Sequence, residues 1–276
     1  MSTSTPLPRS YLFVPGTRPE RFAKALATGA DAVVLDLEDA VAAADKSAAR
    51  ESIAAWLFGA PAADAARIVV RINDAGSAWF DDDLNALASS RPAQVMLPKA
   101  ELQDQVARVR AVLPNAGVLA LIESAIGVAD VDRIAAAPGV QRLVFGTLDY
   151  ALDLDLDTSS DPIGLAYAAS RIAIASRVNG LASPVAGVTP QLDDEARLLH
   201  DWASARAQGF GAKLCIHPKQ VAPLHRAMTP APEAIDWARR VLAAEAASPG
   251  AARLDGRMVD KPVVLQAQRV LALVQP

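Results

Sequence analysis

Three charged side chains stand where a chain that buries its strands should have none. Glu123 and Asp149 follow the short apolar runs LALI and LVFG, and Arg71 interrupts a third, RIVVRIN. A charge within or just after an apolar strand is expensive unless it is paired or bound to something. Two hard carboxylate oxygens with open positions beside them suit Mg²⁺, which keeps several water sites that a substrate carboxylate and a hydroxyl or carbonyl can take. The alternative for each is a rim carboxylate paired with a lysine or arginine. The planar guanidinium of Arg71 matches a carboxylate bidentately, so it is read as the binder of a substrate carboxylate. A buried ion pair with Asp36 or Glu38 is the competing reading.

Other residues offer other chemistries. Asp36 and Glu38 share a strand face by the period of two, and Asp39 opens the next segment, so the three are read as holding metal-bound waters or orienting Arg71. Lys99 or Lys213 would serve a metal-free Schiff-base aldolase if neighbours lowered its pKa; pairing with a rim acid such as Glu123 is the commoner role for Lys99. Cys215 and His217 lie two apart, a spacing that suggests zinc, but the sequence holds no further cysteine and only His200 and His225 besides. Cys215 is therefore read as a small buried hydrophobe. The run Asp149, Asp153, Asp155, Asp157 and Asp161 lacks the central glycine and terminal glutamate of a calcium loop, and everything after Asp149 reads as a solvated loop.

These residues need a frame. Apolar, β-rich runs recur at Tyr11–Pro15, Ala32–Asp36, Arg67–Asn73, Gln94–Pro98, Val118–Ile122, Arg142–Gly146, Pro184–Val188 and Ala212–His217. They are apolar on both faces, which suits buried parallel strands. Helical segments alternate with them, at Pro19–Thr28, Lys46–Leu57, Ala78–Ser89, Leu102–Leu113, Ile126–Ala137, Pro162–Asn179 and Leu192–Gln208. Eight such units point to an α/β fold, a TIM (β/α)8 barrel, whose active site lies at the C-terminal ends of the strands. A doubly wound sheet is the lesser choice, because no GxGxxG turn opens the first helix. The barrel is expected over residues 10–225. Residues 226–276 are expected to add a C-terminal helical extension, with helices at Pro232–Ala247 and from about Lys261 to Val274. That extension is read as part of the same domain, packing on the barrel or reaching a neighbouring subunit.

Composition narrows the partners. The 276 residues include 27 basic and 31 acidic side chains, for a net charge of −4, and hydrophobic residues make up 52%. That is a globular composition without the clustered basic excess that a nucleic acid requires. No apolar run approaches the ~20 residues of a membrane span, and Met1–Ser10 has no apolar signal core. With one cysteine, a soluble cytoplasmic protein is expected.

The segments RSYLFVPGTRPERFAKAL, DAVVLDLEDAVAAADKSAAR, VRIN, MLPKAE, LIESAIGV, LVFGTLDYALDL, GFGAKLCIHPKQV and DGRMVDKPV follow one another in that order. Together they resemble the citrate lyase β-subunit-like branch of the HpcH/HpaI aldolase family, from Arg9 to about Ala272. The resemblance implies a TIM barrel, usually a homotrimer, that uses Mg²⁺ to break or form a carbon–carbon bond in a β-hydroxyacyl thioester. Its relatives act on citryl, malyl or citramalyl groups carried on coenzyme A or on an acyl carrier protein, and release a 2-oxo acid. It also implies roles: Glu123 of LIES and Asp149 of FGTLD as metal ligands, and Arg71 of VRIN as the carboxylate binder. Asp260 of DGRMVDKP would be the acid/base presented to a neighbouring subunit; a capping aspartate is its competing reading. Arg18 and Lys24, near the first strand end, would meet the coenzyme A phosphates. Partner-dependent action on a citryl acyl carrier, and thioester hydrolysis after condensation, remain alternatives within the family.

Overall fold

The structure is a computed structural model that describes residues 7–157, 163–248, 250 and 252–274. Among features named from the sequence, Asp161, Pro162 and the first six residues lie outside these. Leu7–Leu224 form one compact unit, and a second begins at His225.

In the first unit the strands are β1 (Ser10–Pro15), β2 (Ala32–Asp36), β3 (Ile68–Arg71), β4 (Gln94–Leu97), β5 (Gly117–Ile122), β6 (Val140–Phe145), β7 (Val185–Ala186) and β8 (Ala212–Cys215). Each pairs in parallel with the next, and β8 pairs with β1, so the sheet is a closed eight-stranded barrel. The helices are α1 (Phe22–Leu26), α2 (Lys46–Gly59), α3 (Ala62–Ala65), α4 (Phe80–Ala88), α5 (Gln103–Val112), α6 (Ala125–Ala129), α7 (Val131–Ala136), α8 (Thr147–Asp153), α9 (Ile163–Val178) and α10 (Glu195–Ala207). Helix α2 packs on α4, α4 on α5, α5 on α7 and α7 on α9, as in the outer ring of a TIM barrel. Helix α11 (Val221–Met228) follows the eighth strand.

All residues of β2, β3 and β5 are buried, because helices cover the outer face while side chains fill the interior. Tyr11, Val34, Val69, Met96, Leu121 and Leu214 belong to that interior core. By the period of two, the next inward positions above Val34, Val69 and Leu121 are Asp36, Arg71 and Glu123. The register places Asp36 directly opposite Arg71. The charged residues are thus the top layer of a core that is otherwise apolar.

At the opposite end of the barrel, buried Arg142 donates from Nη1 to Pro8 O at 2.7 Å and to the Tyr11 hydroxyl at 3.1 Å, and from Nε to Ser183 O at 2.6 Å. One guanidinium thereby joins the start of β1 to the approach to β7.

The second unit contains α12 (Pro232–Ala247), the antiparallel pair β9 (Arg253–Leu254) and β10 (Arg257–Met258), and α13 (Lys261–Ala272). Helices α12 and α13 pack through Ala238, Val241 and Ala267, joined by Ala252 and Val259. Asp255 (φ 49°) and Gly256 (φ 78°) form the turn between the strands, both in the left-handed region that a two-residue hairpin uses.

Two local expectations are corrected. The helix expected over Ile126–Ala137 is two helices, broken at Asp130, whose ψ of 10° leaves the helical range. The loop expected after Asp149 is helical as far as Asp153. Tyr150 anchors that short helix by packing edge-on against Phe145, with ring centroids 5.4 Å apart. No helix among the described residues is long and apolar enough to cross a membrane.

Candidate active site

A cavity of about 410 Å³ opens at the C-terminal ends of the barrel strands, with Asp36, Asp39, Arg71, Glu123 and Asp149 among the residues that line it. Three residues singled out from separate strand ends, 71, 123 and 149, therefore share one mouth. Glu123 follows β5 and is buried, whereas Asp149 sits in the first turn of α8 and is half-buried. Among the described residues no group of three or more acidic, histidine or cysteine side chains converges to hold a metal. The carboxylates that line the mouth are those of Asp36, Asp39, Glu123 and Asp149.

Glu123 is held by backbone. Its Oε1 accepts the Lys99 N–H at 2.8 Å, and Lys99 adopts φ 44°, a left-handed conformation unfavourable for a residue with a Cβ. On its other side lies Gly146, where a Cβ would come within 2.5 Å of the Glu123 Cβ and collide with Oε2. Burial pushes the Glu123 carboxyl up to about 8, although the Lys99 N–H pulls it down. A desolvated carboxylate of this kind is strongly stabilised by a cation at its remaining oxygen.

Helix α8, which carries Asp149, is tied to the segment that follows Glu123. Asp153 Oδ2 accepts the Ala125 N–H at 2.7 Å. Ser124 caps α6 through the Gly127 N–H and donates to Glu101 Oε1 at 2.7 Å. The aspartate run that reads as solvated loop thus braces the two carboxylates.

Arg71 is already engaged. Its Nε and Nη2 donate to the two Asp36 oxygens, each at 2.7 Å, a bidentate pair. Nη1 lies 2.7 Å from Glu38 Oε2, without hydrogen-bond alignment, and 3.5 Å from Asp39 Oδ2. The ion pair with Asp36 and Glu38, the less favoured reading of the sequence, is therefore present, because register places Asp36 opposite Arg71. One edge of the guanidinium is spent on it, while Arg71 still lines the cavity. Burial works against the charge of Arg71, but the Asp36 hydrogen bonds and the surrounding carboxylates hold its pKa above the ordinary value. Burial also lifts Glu38 to about 7, opposed by Arg71 and assisted by Asp39 and Asp36.

Behind this layer, Lys46 donates from Nζ to Leu37 O (2.7 Å), Glu38 O (2.8 Å) and Asn73 Oδ1 (2.6 Å). Asn73 in turn donates to Asp83, which pairs with Arg50 at 2.9 Å. The network fixes the loops after β2 and β3 from beneath. Asn73 was legible as a strand-end polar residue, but Lys46, Asp83 and Arg50 read only as helix residues.

The lysines do not form a Schiff-base site. Burial would lower Lys99, but Glu38, Asp74 and Glu123 outweigh it and raise its pKa, the wrong direction for an amine nucleophile. Lys213 is pushed down to about 8 by burial. It alternates with the inward residues Ala212 and Leu214, however, and donates to Gly187 O at 2.6 Å in the layer between sheet and helices. Cys215 shares that outward face, its thiol pushed up to about 12 by burial, and His217 Nδ1 accepts the Lys219 N–H.

A family model described as HpcH/HpaI aldolase/citrate lyase matches residues 9–218. The chain belongs to the HpcH/HpaI aldolase/citrate lyase family. A citrate lyase subunit beta-like protein of Mycobacterium tuberculosis is 40% identical over 266 residues, spanning 95% of this chain and 93% of its own. A (3S)-malyl-CoA thioesterase of Cereibacter sphaeroides is 32% identical over 268 residues, spanning 96% and 93%. The crystal structure of protein CitE from Mycobacterium tuberculosis in complex with magnesium, acetoacetate and coenzyme A matches with a TM-score of 0.85 at 38% identity. That match covers 96% of this chain and 97% of that one.

Three residues carried over from the HpcH/HpaI resemblance lie outside the cavity lining. Arg18 and Lys24 are exposed, on the turn after β1 and on α1. Asp260 is exposed in the second unit and caps α13, its Oδ1 accepting the Val263 N–H at 3.2 Å.

Proposed function

We propose that the chain is a Mg²⁺-dependent carbon–carbon lyase. It cleaves a β-hydroxyacyl thioester of the malyl-, citramalyl- or citryl-CoA type into an acyl thioester and a 2-oxo acid. The observation that carries this reading is the buried Glu123 carboxylate, held at one oxygen by the Lys99 N–H and sharing the mouth with Asp149 and Arg71. Family membership and the ligands of the Mycobacterium tuberculosis structure support it.

The donor set fits the metal. Glu123 and Asp149 are hard oxygen donors with open cavity beside them, which suits an ion that keeps several exchangeable positions. They would hold Mg²⁺, which when bound supplies Lewis-acid polarisation of the carbonyl developing on the 2-oxo acid half. Arg71, fixed by Asp36, presents its remaining N–H groups to the substrate carboxylate and orients the bond to be broken. Asp260 of a neighbouring copy in a homotrimer takes the β-hydroxyl proton. The carbon–carbon bond then breaks, its electron pair passes to the thioester enolate, and the enolate takes up a proton. Arg18 and Lys24 meet the coenzyme A phosphates.

The test is a cleavage assay on the purified protein with malyl-, citramalyl- and citryl-CoA. Release of a keto acid that EDTA abolishes and Mg²⁺ restores is expected. Release of free thiol without keto acid would instead mark thioester hydrolysis, the activity in the name of the Cereibacter sphaeroides relative. Silence with every thioester would turn attention to a substrate borne on an acyl carrier protein.

A further inference from the structure

Strand β7 is the shortest of the barrel, Val185–Ala186. It meets β6 at a single register position, Val144 with Val185, whereas β5 and β6 run together over five. The weakest seam of the sheet therefore borders β6, whose C-terminal end leads through Gly146 into the turn of α8 that carries Asp149. Beyond that position the chain is held from behind. Buried Lys213, on the face of β8 turned away from the core, donates from Nζ to Gly187 O at 2.6 Å. Thr189 Oγ1 donates to Asp201 Oδ2 at 2.7 Å, and Gln220 Nε2 donates to Thr189 O at 2.8 Å. Towards β6, Gly187 lies so close to its neighbours that a Cβ there would collide with Thr147 Oγ1 and stand 2.9 Å from Phe145 O. Thr147, Asp149 and Val188 all line the cavity. Taking an ammonium group out of water is costly, and an apolar side chain would fill the same space without that cost, so packing does not account for a lysine at this position.

Resting on the reading of Glu123 and Asp149 as Mg²⁺ ligands, we infer that Lys213 is a positioning residue for the Asp149 side of the site. Its hydrogen bond takes the place of the ladder that β7 is too short to supply, and keeps Gly187 seated against Thr147. Asp149 stands two residues after Thr147 in the first turn of α8. That helix is then fixed at two points, by Gly187 against its start and by the Asp153 contact with the Ala125 N–H near its end. Lys213 touches neither metal nor substrate; it acts through the place it gives the turn. Groups that orient a ligand without touching the metal commonly govern metal affinity by about 10- to 100-fold.

The test is calorimetric titration of Mg²⁺ into the wild-type chain and three variants. Lys213→Met removes the donor but keeps a long side chain, and is expected to weaken Mg²⁺ binding by about tenfold or more. Gly187→Ala forces the same seam apart from the other side and is expected to weaken it likewise. Val109→Ala opens a cavity in buried α5 packing, away from the seam, and so loses stability for a purely structural reason. Its Mg²⁺ affinity should stay within about twofold of wild type. A folded Lys213→Met protein that binds Mg²⁺ as tightly as Val109→Ala overturns the inference, and so does a folded Gly187→Ala protein that does. Should neither fold, amide hydrogen exchange of the wild type decides. Mg²⁺ is expected to slow exchange over residues 185–189, because coupling between two sites is reciprocal; unchanged exchange there overturns the inference. A wild type that binds no Mg²⁺ removes the metal reading itself, and this inference with it.

Discussion

The Lys99 backbone N–H donates to Glu123 Oε1 at 2.8 Å from a left-handed residue with φ 44°. A side chain that reads as a candidate nucleophile thus contributes to the site through its main chain, holding one oxygen of the carboxylate proposed to bind the metal. Lys99→Pro removes that N–H and forbids that φ. It is expected to weaken Mg²⁺ binding by about tenfold or more in calorimetric titration, the loss of a hydrogen bond to a charged group. Lys99→Gly keeps the N–H and relieves the strain, so its Mg²⁺ affinity should stay within about threefold of wild type. Equal affinities for the proline variant and the wild type would remove the backbone's role.

Glu123 holds its proton to about 8, against an ordinary value of 4.5. Between those values the native state binds a proton that the unfolded chain has lost, so the contribution of Glu123 to metal-free stability is full below about 4.5 and is lost as pH rises towards 8. Glu38, lifted to about 7, adds to the same slope over the lower part of the range. Mg²⁺ reverses the sense, because it requires the carboxylate. Its affinity should rise by up to about tenfold per pH unit on approaching 8. Thermal unfolding at about pH 6 and pH 8, with and without Mg²⁺, checks both signs. Glu123→Gln should lose the Mg²⁺ effect and flatten the slope. A wild-type protein stabilised equally by Mg²⁺ at both pH values would contradict the linkage.

Arg71→Lys keeps a positive charge but cannot reproduce the double contact with Asp36. Loss of kcat/KM by about 100-fold is expected, with the barrel folded by circular dichroism. Arg71→Leu leaves Asp36 and Glu38 without their cation and should lower stability by about 3–5 kcal/mol. A lysine variant with near-normal kinetics would reduce Arg71 to a structural ion pair.

Asp260 caps α13 through the Val263 N–H. Asparagine caps as well as aspartate, so Asp260→Asn separates capping from proton transfer. Stability should change by less than about 0.5 kcal/mol while kcat falls by about 100-fold or more. Asp260→Ala should add the loss of a cap, about 1 kcal/mol. If the residue serves a neighbour's site, mixing Asp260→Asn with Arg71→Lys subunits will restore activity in hybrid oligomers; no restoration would confine Asp260 to its helix.

The barrel was legible because parallel strands buried on both faces leave short apolar runs with no polar alternation to blur them. The charges that break those runs were legible for the same reason, and residues 71, 123 and 149 meet in one cavity. What was hidden depends on pairing rather than residue type. Whether Arg71 faces a ligand or Asp36 is decided by register between β2 and β3. The Lys99 contribution is a main-chain N–H, which no side chain announces. Lys46 meets Asn73, and Asp153 the Ala125 N–H, each across more than twenty residues of sequence. The Asp255–Gly256 turn carries an ordinary hairpin signature, but the two-residue strands on either side of it are too short to stand out between two helices.

Arg142 gives the barrel a stopper. Buried among Pro8, Tyr11 and Ser183, it plugs the end remote from the carboxylates with a charged side chain whose donors bind carbonyl groups and a hydroxyl. With the core side chains filling the interior above it, the barrel is a cup rather than a tube. A molecule lodged against its floor of Leu121 and Leu214 leaves by the door through which it came, past whatever stands in the opening. For a reaction that splits one molecule in two, the fragment nearer the rim must depart before the one beneath it.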